Sequence, residues 1–146
     1  MKQIYIALAF LLIFDVSANA QTSEEKGKII QICLDLPDIE NLFPKDANGN
    51  FTAIHIMQYP IVLPTDLPIT KFGKDIVFMN RHEIYDNQVK TYFLFQTMDV
   101  ATSKALVQFT LYYEQTSADK KVMLITLDLD KINGDWIIAN KDIKKY

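Results

Sequence analysis

The sequence has a single cysteine, and this scarcity limits how the fold can be held together. Cys33 has no partner for an intramolecular disulfide, so packing must stabilise the domain. The residues beside Cys33 lack the small side chain that precedes a lipid-modified cysteine, which argues against a lipid anchor. Because a free cysteine usually behaves as a small hydrophobic residue, we place Cys33 on the apolar side of a helix.

Long apolar runs are also scarce. The run from Ile4 to Phe14 is unbroken, but as a helix it would rise only about 16 Å, roughly half of a hydrocarbon core. Lys2 precedes this run, and Ala18-Asn19-Ala20 supplies the small residues of a cleavage site. We therefore predict a signal peptide over residues 1–20, cleaved after Ala20, and a secreted or periplasmic soluble protein with no stable membrane span.

No charge of one sign dominates the sequence. The formal net charge is −3, and removal of residues 1–20 leaves it unchanged because one lysine and one aspartate are lost. A mildly acidic chain lacks the basic surface that nucleic-acid binding requires. The length of residues 21–146 is typical of one domain with a single core.

The first predicted element of this domain is a helix over Thr22 to Leu36. Thr22 and Glu25 match a capping box, and Pro37 ends the helix. Proline recurs at residues 60, 64 and 68, so residues 59–70 are expected to form an edge strand or a surface loop. The sequence leaves the fold of residues 37–75 undetermined.

From Phe51 onward, β-branched and aromatic residues alternate with polar ones, which predicts strands. Asp86-Asn87 and Asn133-Gly134 are predicted turns, and Asn-Gly is typical of type I′ hairpins. The predicted strands are Ala53 to Met57, Ile61 to Leu63, Ile76 to Met79, Glu83 to Tyr85, Val89 to Gln96, Ala105 to Glu114, Val122 to Lys131, and Trp136 toward Ile143. One helix ahead of antiparallel strands predicts an α+β fold, with the helix on a curved, mostly antiparallel sheet.

The last hairpin resembles that of small NTF2-like (cystatin-like cone) domains, in which a strand ending in Lys-x-x-Gly-x-Trp-x-Ile commonly closes the sheet. Lys131, Gly134, Trp136 and Ile138 match this pattern, and the resemblance extends from Lys104 to the C-terminus. The family usually opens with two or three helices, whereas this sequence predicts one. The resemblance implies a pocket between helix and sheet that serves binding or catalysis, and homodimers formed through the outer sheet face.

Candidate binding residues come from the aromatic strands, since amphipathic aromatic side chains suit interfaces. We select Tyr85, Tyr92, Tyr112, Tyr113 and Glu114 as ligand- or partner-binding residues. If the outer sheet face is not covered by residues 59–70, its stripe of tyrosine and leucine is a surface for a partner.

Catalytic and metal sites are not predicted, and neither is a cofactor. His82 and Glu83 point to opposite faces if they lie on a strand, and His55 is expected to face water. Asp128 and Asp130 lack the spacing of a calcium loop and are expected to be solvated.

These patterns predict a small exported module that binds an unknown small molecule or protein. The alternative is a small NTF2-like pocket enzyme with one acid–base residue, for example Tyr113 or Glu114 reaching into the pocket. The sequence alone does not decide whether the protein is an enzyme.

Overall fold

The computed structural model describes residues 15–116 and 118–146, with side chains from residue 23 onward. Most of the predicted signal peptide lies outside the described residues. Within them, no helix is both long enough and apolar enough to cross a membrane. The elements are α1 (Asp15–Leu34), a 3-10 helix (Pro37–Leu42), β1 (Ile54–Met57), β2 (Ile76–Met79), α2 (Arg81–Asp86), β3 (Tyr92–Val100), β4 (Lys104–Tyr113), β5 (Lys121–Ile132) and β6 (Asp135–Lys145).

The strands form one six-stranded sheet in the order β2-β1-β3-β4-β5-β6. Strands β3 to β6 form an antiparallel meander, while β1 runs parallel to both β2 and β3. The predicted α+β class and the mostly antiparallel sheet are confirmed. The parallel pairings at the β2 edge were not predicted.

The core lies between α1 and one face of the sheet, which we call the inner face. Ile30, Cys33 and Leu34 of α1 are fully buried in one cluster with alternate residues of the strands, such as Phe109 and Ile125. The prediction for Cys33 is confirmed, and burial raises the pKa of its thiol. The opposite, outer face carries the residues that alternate with these.

The bounds of α1 differ from the prediction. The helix already includes Asp15, so Thr22 lies inside it and is not its first capping residue. Alanine and glutamine before Thr22 favour helix, which explains the continuation. At the other end α1 stops at Leu34 because Pro37 restricts the preceding residue, and Leu36 is extended with φ −60° and ψ 126°.

Two predicted strands are wrong. Residues 83–85 belong to the short helix α2, where the Asn80 side chain accepts from the Glu83 N–H and the Glu83 side chain accepts from the Asn80 N–H. This reciprocal capping box stabilises a helix start and outweighs the strand preference of Ile84 and Tyr85. The predicted strand over residues 61–63 is a loop, and β3 begins at Tyr92 rather than Val89.

The proline-rich segment of residues 59–70 forms a loop that packs on the α1 side of the sheet. Leu63 and Ile69 are buried in the core, and Pro68 lies against Gly27 of α1. The Gln31 side chain donates to the Thr70 carbonyl at 2.7 Å and accepts from the Thr70 N–H at 2.9 Å. Most of the segment therefore packs against the inner side, and it does not cover the outer face.

The last hairpin has the predicted two-residue turn. Asn133 and Gly134 both have positive φ, 53° and 93°, as a type I′ turn requires. Trp136 is 7% exposed and donates from Nε1 to Glu25 of α1, whose carboxylate also accepts from Lys131 Nζ at 2.8 Å. The hairpin is thereby fixed to the N-terminal helix.

Candidate functional site

An open cleft of about 850 Å³ lies on the outer face of the sheet, beside α2. We call it the aromatic cleft, because Tyr85, Tyr92 and Tyr112 line it. Met57 and Leu94, neighbours in the β1–β3 pairing, contribute apolar surface. The remaining lining residues are Tyr59, Arg81, Ile84, Gln88, Val89, Lys90, Gln115, Thr116 and Lys120.

The two strand tyrosines are positioned by sheet register. Tyr92 of β3 lies directly opposite Tyr112 of β4, and their rings stack with centroids 4.7 Å apart. Their sequence neighbours Phe93 and Leu111 are buried in the core, so the alternation of the strands directs both tyrosines to the outer face. The stacked pair forms a half-buried aromatic surface.

The helix α2 forms one wall of the cleft. Ile84 is buried, whereas Tyr85 is 66% exposed. The end of the helix is fixed by a run of backbone bonds, in which Gln88 donates to the Tyr85 carbonyl and Val89 to the Ile84 carbonyl. This six-residue helix is thus held at both ends, by its capping box and by its C-terminal bonds.

A second wall comes from the segment that follows β4. The backbone N–H of Gln115 donates to the Lys90 carbonyl at 3.0 Å, which joins this segment to the chain entering β3. The Gln115 side chain donates to the carbonyls of Tyr113 and Lys121. These bonds hold Lys90 and Lys120 on the same rim, close to the stacked tyrosines.

The charge of the cleft differs from that of the whole chain. Arg81, Lys90 and Lys120 line it, and none of its described lining residues is acidic. The Arg81 guanidinium lies 6.0 Å from the centre of the Tyr85 ring, a cation–π arrangement. The cleft is therefore locally cationic, although the whole chain has a net charge of −3.

The hydroxyl of Tyr92 is kept protonated. Burial, with the neighbouring Tyr112 and Tyr85, raises the pKa of Tyr92 to about 12, although Arg81 acts in the opposite direction. At neutral pH this hydroxyl is a hydrogen-bond donor rather than an anion. The cleft thus combines aromatic faces, a phenol donor and three cations.

The structure brings together three of the five predicted binding residues, namely Tyr85, Tyr92 and Tyr112. Tyr113 lies on the inner face and packs against the core. Glu114 does not reach inward, because it has a φ of 48° where β4 ends, is exposed and pairs with Lys121.

The cationic residues of the cleft were missed from the sequence. They come from three separate segments: Arg81 begins α2, Lys90 precedes β3, and Lys120 precedes β5. No local motif joins them, so only the sheet order and the loop contacts could have revealed their convergence.

The histidine predictions hold in part. His55 lies opposite the buried Ile54 and Ile56, as expected, but it is only partly exposed. Its Nδ1 is buried with no hydrogen-bond partner among the described residues, and burial lowers the pKa of His55. His82 is exposed on α2 rather than on a strand. Asp128 is exposed as expected, and Asp130 pairs with Lys104 at 3.0 Å. Within residues 15–116 and 118–146, no group of histidine, cysteine or acidic side chains is arranged to hold a metal ion.

Comparison with protein-family models, with curated proteins and with solved structures finds no match for this chain. The function must therefore be argued from the geometry of the cleft.

Proposed function

We propose that this protein is a binding module whose ligand occupies the aromatic cleft. The observation that carries the proposal is the convergence of Tyr85, Tyr92 and Tyr112 on one open cavity of about 850 Å³. Cavities of roughly 300 to 1,000 Å³ with a few directed polar groups are typical of small-molecule sites. The cleft has that size and that composition.

The proposed binding mode follows from the exposed groups. The stacked Tyr92 and Tyr112 rings are partly exposed, and the more exposed Tyr85 stands on the α2 wall. Aromatic groups attract flat partners in offset or edge-to-face arrangements, and a tyrosine hydroxyl adds a hydrogen bond. A ring inserted at this surface would contact both walls.

Binding is favoured over acid–base catalysis. The acid–base candidates Tyr113 and Glu114 both lie outside the cleft, and no carboxylate or histidine occurs among its described lining residues. The cleft offers hydrogen-bond donors and cations, which orient a ligand, and we propose that this is their role.

The export of the protein belongs to the same proposal. The sequence of residues 1–20 supports a signal peptide, and we propose that a secreted or periplasmic protein meets its ligand outside the cytoplasm. The proposed relation to NTF2-like domains rests on the resemblance of the segment from Lys104 to the C-terminus. A homodimer through the outer face stays a prediction, which light scattering tests, and a strict monomer at high concentration would contradict it.

Native mass spectrometry of the processed protein, purified from the cells that make it, tests the proposal. We expect a retained small molecule, with lower occupancy in Tyr85→Ala. The matched control is Tyr146→Ala, because Tyr146 is equally exposed but does not line the cleft. A mass without ligand in all three proteins would contradict the proposal and direct attention to protein partners.

A further inference from the structure

We propose that the ligand of the aromatic cleft is a small aromatic molecule with an oxyanion group, which is either a carboxylate or a phosphate. This inference rests on the proposed function and adds the chemical class of the ligand. The observation behind it is that Arg81, Lys90 and Lys120 all line a cavity that is also lined by four tyrosines.

No carboxylate of the described residues pairs with the three cations of the cleft. By contrast, Lys71, Lys131 and similar lysines bind specific carboxylates. A bound anion would supply the counter-charge that these three cations lack among the described residues. The cleft is therefore complementary to negative charge.

The cations occupy different walls of the cleft. Arg81 stands on α2 above Tyr85, while Lys90 and Lys120 lie on the rim joined by the bond from Gln115 to Lys90. An arginine fork binds carboxylate and phosphate oxygens in pairs, and a lysine ammonium adds a point charge. An oxyanion at the opening of the cleft could be bound by Arg81 from one wall and by the two lysines from the other.

The aromatic part of the proposed ligand is inferred from the strand residues Tyr92, Tyr112 and Leu94, which line the cleft between its two walls. A hydrated inorganic anion would need only the cations, whereas Tyr92, Tyr112 and Leu94 add aromatic and apolar surface. The ligand's ring would stack on these residues, and its oxyanion would pair with the cations at the rim. The cavity volume of about 850 Å³ holds a molecule of this kind whole.

Matched probes separate charge from shape. 2-Naphthoate and 2-naphthamide have nearly the same shape and differ in charge, and 2-naphthyl phosphate tells a phosphate site from a carboxylate site. Titrations followed by backbone amide shifts at Tyr92 and Tyr112 locate the binding and give each affinity. We expect one of the anions to bind about tenfold more tightly than the amide, because charged hydrogen bonds are roughly twice as strong as neutral ones. The preference should shrink as salt is added.

Two variants assign the preference to the cations. Arg81→Gln and Lys120→Gln should lose most of the preference for the anion while still binding the amide. Lys74→Gln is the matched control, since Lys74 is exposed, lies away from the cleft and carries the same charge. Loss of the preference in the cleft variants but not in the control supports the proposal.

The failures are distinguishable. Equal binding of amide and anions at the cleft, or a preference that all three variants keep, would overturn the anionic ligand and leave the binding function intact. If no probe shifts the amides of Tyr92 and Tyr112, the aromatic oxyanion is overturned as the ligand class, whereas the proposed binding function fails only if native mass spectrometry also finds no retained molecule.

Discussion

Glu25 connects the N-terminal helix to the last hairpin of the sheet. Its carboxylate, mostly buried, accepts from Lys131 and from the Trp136 indole. The hydrogen bond from Lys131 is the main cause that lowers the pKa of Glu25, against the opposing effect of burial. One side chain therefore couples the packing of α1 to the position of β6.

This coupling predicts an acid-sensitive part of the stability. Because the pKa of Glu25 is lower in the folded protein, its contribution is fully present above the unfolded value of about 4.3 and is lost as the pH falls through the folded pKa. Glu25→Gln should lower the free energy of unfolding at pH 7 and flatten its decline below about pH 4.3. Urea titrations at several pH values measure this, and Lys131→Met should act in the same direction. Identical pH profiles for Glu25→Gln and the wild type would contradict it.

Trp136 tests the hairpin assignment. Trp136 is 7% exposed within the core cluster, so Trp136→Ala should cost about 3–5 kcal/mol in the free energy of unfolding. Ile137→Ala is the control, since Ile137 is 44% exposed and its loss should stay within about 0.5 kcal/mol. A cost below about 1 kcal/mol for Trp136→Ala, measured by chemical denaturation, would refute the burial of the ring.

Residues 25, 133, 134 and 136 differ in how far their structural roles could be predicted from the sequence. The Asn133-Gly134 turn and the inward position of Trp136 follow from local rules of turn geometry and alternation, and both could be predicted. For Glu25 the sequence predicts only a capping-box partnership with Thr22. Its partner Lys131 is 106 positions away, so its role depends on tertiary packing that no local pattern encodes.

At the scale of elements, the stability of the short helix α2 depends on its capping box. Asn80→Ala removes the side chain that accepts from the Glu83 N–H, a change that costs helices about 0.5–2 kcal/mol. We expect amide exchange at Ile84 and Val89 to become about two- to thirtyfold faster, because their N–H groups bond within this helix and its end.

A substitution that opens α2 should also weaken ligand binding, because α2 carries Arg81 and Tyr85. Asn80→Ala should weaken the affinity for 2-naphthoate, and Asn80→Asp, which keeps a capping oxygen, should preserve both properties. Unchanged exchange in Asn80→Ala would mean that tertiary contacts alone hold α2.

The same helix marks the limit of prediction for elements. Strands β4 to β6 are long, and their alternating apolar residues identified them to within a few positions. A six-residue helix is too short to show a helical period, and Ile84 and Tyr85 favour strand locally. The usable signal was the pair Asn80 and Glu83, three residues apart.

At the scale of the molecule, the sheet consists of two unequal parts. Strands β4 and β5 share ten residue pairs, whereas β1 joins β3 through only Ile56–Phe93 and Met57–Leu94. The meander could be predicted because its strands are joined by short turns. The parallel edge could not, because residues 58–75 connect β1 to β2 as a crossover whose end points are set by tertiary contacts.

The aromatic cleft lies across the junction between these two parts. Met57 from β1 and Leu94 from β3, the last pair of that short ladder, both line the cleft. Tyr112 belongs to the meander and Tyr85 to α2, which follows the edge strand β2. A ligand in the cleft would therefore contact both parts at once.

This arrangement predicts an uneven hydrogen-exchange pattern. Amides of β4 and β5 should exchange only through global unfolding, because these strands are central and their inner residues are fully buried. Amides of β1 and β2 should exchange through a smaller opening that breaks the two-pair junction. Occupation of the cleft by 2-naphthoate should slow exchange in β1, β2 and α2 while leaving the rates in β4 and β5 governed by the global stability. Equal protection of β1 and β4 in the free protein would show that the core contacts of Ile54 and Ile56 outweigh the short ladder, and the edge would then open only with the whole domain.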